Sequence, residues 1–243
     1  MRSRQSFWRR HEGAASPPAA NVVVGAITTK ECRDGRHHGK RRRIRWGSRR
    51  WLVRMTRIIA GAARGRRLSV PAGTGTRPTS DRAREGLFAT LTALRGTLRQ
   101  ARVLDLYAGS GAVGLEALSR GAGRAVFVES DPAAARVIRE NITAVGLPGG
   151  HLITGTVARV LDRGPGGEQA FDIVVADPPY AAGDGEVNAV LLALRQGGWL
   201  APEALLAVER ATRSGPVSWP PGYAADRSRR YGEATFWYGL AAG

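Results

Sequence analysis

Cysteine, methionine, lysine and long apolar runs are all scarce in this chain of 243 residues. A single cysteine, Cys32, cannot close an internal disulfide, so the reducing cytoplasm is the expected setting. No apolar stretch reaches the roughly 18 residues a helix needs to cross a bilayer, and no membrane partner is expected. The four histidines, His11, His37, His38 and His151, have no cysteine or acidic residue at ligand spacing, which argues against a metal site. Lysine occurs only at Lys30 and Lys40, and methionine only at Met1 and Met55.

What the chain has in excess is arginine. With 37 basic against 20 acidic side chains its formal net charge is +17, a balance suited to a polyanionic partner. The excess is uneven. Residues 1–54 hold 15 basic and 3 acidic side chains, a net of +12, which leaves +5 for the remainder. That first segment shows neither helical nor strand periodicity and carries both lysines and the cysteine. Three readings fit it: a basic RNA-binding tail, an Arg-rich targeting segment, or translated sequence upstream of a start at Met55. The third is the expectation here, with residues 1–54 as a basic extension and 55–243 as the folded domain. The lysine-free, Ala-, Gly- and Arg-rich remainder suits a GC-rich bacterial genome.

From Met55 onward the pattern alternates. "TRIIAGAARGRRLSVP" predicts two short strands with Arg64, Arg66 and Arg67 at the turn between them, a basic hairpin within residues 55–78. "RPTSDRAREGLFATLTAL" predicts a helix capped by Thr79 or Ser80, with Asp81 in its first turn and Ala83, Leu87, Leu91 and Leu94 on one face. Strand-like runs then follow ("RVLDLY", "AVFVES", "HLITG", "FDIVVAD", "ALLAVER"), separated by helical stretches. Strict alternation implies an α/β fold with a parallel sheet and right-handed crossovers, with "RSRRYGEATFWYGL" pairing antiparallel at the sheet's end. Residues 79–243 are therefore expected to form the catalytic α/β fold.

In such a sheet, ligands sit beyond the carboxyl ends of the strands. The first of those ends carries Asp105 and Tyr107, then Gly109, Gly111 and Gly114, where the absent side chains permit close approach of a ligand to the backbone. The second ends in Glu129 and Ser130, where a carboxylate can accept both hydroxyls of a ribose. The glycine spacing also matches a dinucleotide fingerprint, but Asp105 would repel a pyrophosphate and would suit a cationic amino acid group. S-adenosylmethionine, with a ribose, an adenine, an ammonium and no phosphate, fits the set better. After the fourth strand, Asp177, Pro178, Pro179 and Tyr180 offer a carboxylate, rigidly held carbonyls and an aromatic face. That combination suits a planar base bearing an exocyclic amine, with Asp177 and the Pro178 carbonyl accepting the amine hydrogens and Tyr180 stacking on the ring.

The motifs "RPTSDRAREGLF", "VLDLYAGSGAVGLEALSRGA", "VESD" and "FDIVVADPPY" resemble the RsmD-type small-subunit ribosomal RNA guanine-N2 methyltransferases over essentially all of residues 55–243. The resemblance implies a Rossmann-like class I methyltransferase fold with a mostly parallel seven-stranded sheet. It also implies S-adenosylmethionine as donor, and as target one guanine amine at position 966 of the small-subunit rRNA. The partner it implies is a protein-bound, assembling small subunit. By the same resemblance Asp105, Gly109 and Gly111 face the methionine part of the donor, Glu129 the ribose, and Asp177 to Tyr180 the base. Two departures stand out: "TGTVARVL" lacks the acid that many relatives of the wider fold set on the adenine amine, so Thr156 and Val157 would offer only backbone or weaker contacts, and Tyr180 replaces a phenylalanine. Arg64, Arg66, Arg67, Arg77 and Arg82 are the candidate phosphate contacts. A DNA adenine-N6 methyltransferase and a non-catalytic RNA-binding module are the rival readings. The first would need more chain for a recognition domain, and the second would not explain a donor pocket.

Overall fold

The apolar strand-like runs become the inner strands of a seven-stranded sheet because they are β-branched or apolar over five or six residues, while the polar, largely exposed Tyr223–Tyr231 forms one edge. A computed structural model describes residues 55–71, 80–179 and 182–242. An antiparallel pair comes first: β1 (Met55–Arg57) and β2 (Arg67–Ser69), with Thr56 opposite Leu68. Helix α1 (Asp81–Arg95) follows, capped by Ser80, whose hydroxyl accepts the Ala83 N–H. Its buried face includes Ala83, Leu87 and Leu91 as the periodicity requires, and Leu94 is half-buried beside them.

Alternating strands and helices build the rest: β3 (Arg102–Leu106), α2 (Ala112–Ser119), β4 (Arg124–Glu129), α3 (Pro132–Val145) and β5 (Gly150–Thr154). Then come α4 (Val157–Asp162), β6 (Phe171–Ala176), α5 (Asp184–Gln196) and β7 (Leu200–Ala211), and after a 3-10 turn at Thr212–Ser214, β8 (Tyr223–Tyr231) and β9 (Ala234–Ala241). The sheet order is β5-β4-β3-β6-β7-β9-β8. All neighbours from β5 to β7 run parallel, and β9 runs antiparallel to both β7 and β8. The tail is thus a hairpin whose second strand inserts beside β7. The order reverses between β3 and β6, which opens a crevice at their carboxyl ends. Helix α4 fills the crossover between β5 and β6 that the alternation required, although its six residues give too little periodicity to place it from sequence.

Each face of the sheet carries its own apolar layer. Val103, Phe127, Ile173, Leu205 and Tyr238 pack with residues of α1, α2 and α3 on one side. On the other, Leu104, Val126, Val174, Leu206 and the fully buried Trp199 pack with α4 and α5. The Trp199 indole N–H donates to the Leu161 carbonyl at 3.1 Å, which satisfies the polar edge that burial would otherwise strand.

The N-terminal pair is held against the sheet domain by the buried Ile58, Ala63 and Leu68 and by a set of polar groups. Glu116 on α2 is fully buried and accepts the backbone N–H groups of Ile59 (2.7 Å) and Ala60 (3.0 Å). Its charge is matched by Arg120 at 2.7 Å and by the buried Arg84 at 3.8 Å. Asn141 on α3 accepts the Ser69 N–H and donates to the carbonyls of Ser69 and Ser110, each at 2.9 Å. One side chain therefore ties β2 to the glycine loop after β3. No helix among the described residues is long and apolar enough to cross a membrane.

Candidate active site

The crevice at the β3/β6 reversal is a cleft of about 210 Å³. The carboxylates of Asp105, Glu129, Asp177 and Glu209, from four strand ends, lie along it, with Thr56, Val70 and Pro71 of the N-terminal pair on another side. Asp105 is 3% exposed, and its Oδ2 accepts the Gly114 N–H at 2.9 Å. Burial is the main force pushing its carboxyl up to about 8; the Gly114 N–H opposes that, and the neighbouring charges of Asp177 and Glu129 add to it. A site that leaves this acid short of compensating cations fits a cationic ligand, and an ammonium or sulfonium there would restore the ionised form.

The loop between β3 and α2 turns on three positive-φ residues: Tyr107 at 59°, Gly109 at 57° and Gly111 at 75°. Tyr107 is non-glycine in this region, a conformation of modest cost that the surrounding structure imposes. Its hydroxyl is pushed up to about 12, first by burial and then by Glu186. Gly114 is required by packing instead, because a Cβ there would lie 2.3 Å from the Phe127 ring. Glu129 anchors the loop: Oε2 accepts the Gly109 N–H at 2.8 Å, and Oε1 accepts those of Ser130 (2.7 Å) and Asp131 (2.8 Å). A carboxylate has about four acceptor positions, so the geometry leaves capacity for a further hydroxyl donor such as a ribose.

Of the residues singled out from sequence, Asp105, Tyr107, Gly109, Glu129, Ser130, Asp177 and Pro179 line the cleft. Gly111 supports it from behind as the left-handed N-cap of α2. Pro178 instead faces a small apolar hollow shared with Tyr107, Val174 and Leu206. Thr156 and Val157 do not line the cleft: the Thr156 hydroxyl caps α4 by accepting the Arg159 N–H, and Val157 is buried in the core. Tyr180 and Arg77 lie outside the described residues, as do residues 1–54.

The arginines divide. Arg64, Arg67 and Arg82 are exposed. Arg66 is exposed too, but its Nη1 donates to the carbonyls of Ala144 (2.8 Å) and Val145 (2.9 Å), the last turn of α3, where a cation also meets the negative end of the helix. Sequence reasoning passed over Arg84, Glu209 and Phe236, all of which line the cleft. Glu209 had a readable signal, since "ALLAVER" is an apolar strand run ending in an acid, the same signature as Asp105, Glu129 and Asp177.

Comparison with known proteins agrees with this architecture. The family described as Conserved hypothetical protein 95 matches residues 56–239. The Ribosomal RNA small subunit methyltransferase D of Escherichia coli (strain K12) is 36% identical over 181 residues, spanning 74% of this chain and 87% of that protein. Its namesake from Haemophilus influenzae is 37% identical over 155 residues, 63% of this chain and 77% of that one. The solved structure of Escherichia coli yhhF superposes with a TM-score of 0.68 at 34% identity, covering 78% of this chain and 99% of that chain. With a Rossmann-like methyltransferase fold, and with its match running from β1 to β9, the chain belongs to the Ribosomal RNA small subunit methyltransferase D family.

Proposed function

We propose that this protein methylates the exocyclic N2 amine of one guanine in small-subunit rRNA, the guanine at position 966, within an assembling subunit in the cytoplasm. Family membership supports the coarser statement, S-adenosylmethionine-dependent methylation of rRNA. What carries the reading is that Asp177, at the end of β6, lines the same cleft as Asp105, Gly109 and Glu129, so an amine-directed carboxylate and a donor-directed pair share one space.

When bound, S-adenosylmethionine supplies an electrophilic methyl group on a sulfonium. Asp105 faces its cationic end, Glu129 accepts from the ribose, and the positive-φ loop at Gly109 lets the backbone approach. Asp177 accepts from the amine, which turns the nitrogen lone pair out of conjugation with the ring and toward the methyl group. Tyr180 stacks on the base. The rate enhancement is then mainly positioning and preorganised electrostatics, and unstacking the base, at about a few kcal/mol, favours a loop or bulge as target.

Incubating the full chain with labelled S-adenosylmethionine and either undermethylated small subunits or DNA, then digesting the nucleic acid, tests this. N2-methylguanosine at a single position is the expected product. Label recovered in N6-methyladenine of DNA, or in no nucleic acid at all, would overturn it.

A further inference from the structure

Glu209 is a buried acid in the cleft for which the chemistry above has no use. It is 4% exposed, and it lines the cleft together with Asp177 and Phe236. Its position follows from register: Val175 pairs with Ala207 and Ala176 with Val208, so Asp177 and Glu209 are the next residues along two parallel neighbours. Alternation turns both toward the face that carries Val175 and Ala207, the side of the cleft. Phe236, opposite Glu209 on β9, adds an apolar wall beside it. Adjacent strands lie about 4.8 Å apart, which lets side-by-side carboxylates address neighbouring polar atoms of one planar base.

An Asp-Pro-Pro-Tyr end grips an amine but does not by itself say which base carries it. Guanine presents the N1–H directly beside its N2 amine. Adenine and cytosine present an unprotonated ring nitrogen beside theirs. An ionised carboxylate only accepts, so it attracts the first arrangement and sets lone pair against lone pair in the other two. Resting on the guanine reading above, we propose that Glu209 selects the base by accepting the guanine N1–H while Asp177 holds the adjoining amine.

The test uses small subunits reconstituted with either guanine or 2-aminopurine at the nucleotide the wild-type chain methylates. 2-Aminopurine keeps the exocyclic amine and lacks the N1 hydrogen. In single-turnover transfer the wild-type chain should be slower on 2-aminopurine by about tenfold or more, the worth of one charge-assisted hydrogen bond. Glu209→Gln can donate its amide N–H to the bare N1, so it should slow on guanine, quicken on 2-aminopurine, and carry the ratio toward one or past it. Glu209→Ala should lose the preference without that rescue. S-adenosylmethionine affinity, measured by calorimetry on both variants, should stay at the wild-type value. Variants that keep both donor affinity and the wild-type base ratio would overturn the proposal, as would loss of donor affinity in Glu209→Gln, which would make the residue a structural part of the cleft. A wild-type chain that methylates no guanine would refute the function beneath the inference, whereas guanine methylation with an unchanged ratio in the variants would remove Glu209 alone.

Discussion

Donor binding should be coupled to the ionisation of Asp105. Burial holds this carboxyl protonated up to about 8 in the free protein, against a single compensating backbone N–H from Gly114. A cationic ligand in the cleft favours the ionised form, so binding below about pH 8 must first remove a proton. Each pH unit below that value then weakens affinity by about tenfold, and near pH 6 the penalty approaches a hundredfold. Affinity should therefore rise from about pH 6 to about pH 8 and level off above. The sign for folding is opposite: the unfolded chain releases this proton near the usual carboxylate value while the folded chain keeps it, so stability of the free protein falls as pH rises between about 4 and about 8. Calorimetric titration of S-adenosylmethionine in buffers of different ionisation enthalpy at pH 7 reads the effect directly, and close to one proton should leave per donor bound. Asp105→Asn should bind more weakly at pH 8 and lose the pH dependence. Flat affinity across the whole range with no proton released would refute the reasoning.

Other expectations follow from the geometry. Asp177→Ala should leave donor affinity near wild type and lower single-turnover transfer, and even Asp177→Asn should lose at least about tenfold, equivalent to about 1.4 kcal/mol at the barrier; normal transfer would mean the acid merely ends a strand. Replacing Arg64 and Arg67 with alanine should weaken small-subunit binding and shallow its salt dependence by about one power of salt concentration per lost phosphate contact, with donor affinity unmoved. Arg66→Ala should instead cost about 1 kcal/mol of stability, because its guanidinium holds the last carbonyls of α3. Glu116→Gln should be the most damaging, by about 3 kcal/mol in urea unfolding, since it leaves Arg84 and Arg120 facing a neutral amide in a buried site.

How legible the site was depended on the kind of signal. Asp105, Glu129 and Asp177 could be read because each lies at or near the end of a strongly apolar strand with glycine or proline within a few residues, and parallel topology brings such ends together. Thr156 and Val157 were chosen by the same rule of strand ends, yet α4 begins at once after β5 and uses the Thr156 hydroxyl as its cap. The short helix also buries Val157, so neither side chain lines the cleft. Arg66 looked like its neighbours in a basic turn; only the docking of that turn against α3 separates it from Arg64 and Arg67.

The order of elements, the alternation that makes the sheet parallel, and the glycine loop after β3 are local properties, set by periodicity and by where side chains are missing, and the chain alone determined them. Burial and neighbourhood are not local. Glu116 reads as an ordinary acid on a helix of apolar residues, and only packing shows that it sits beneath two backbone N–H groups 56 and 57 residues earlier in the chain. The same holds for Asp105, whose displaced ionisation arises first from burial and then from the charges of Glu129 and Asp177 at neighbouring strand ends, and for Glu209, which joins the cleft because β7 lies in register beside β6. A side chain's charge state and its partners depend on what the fold carries to within a few ångströms, and separation along the chain does not encode that distance.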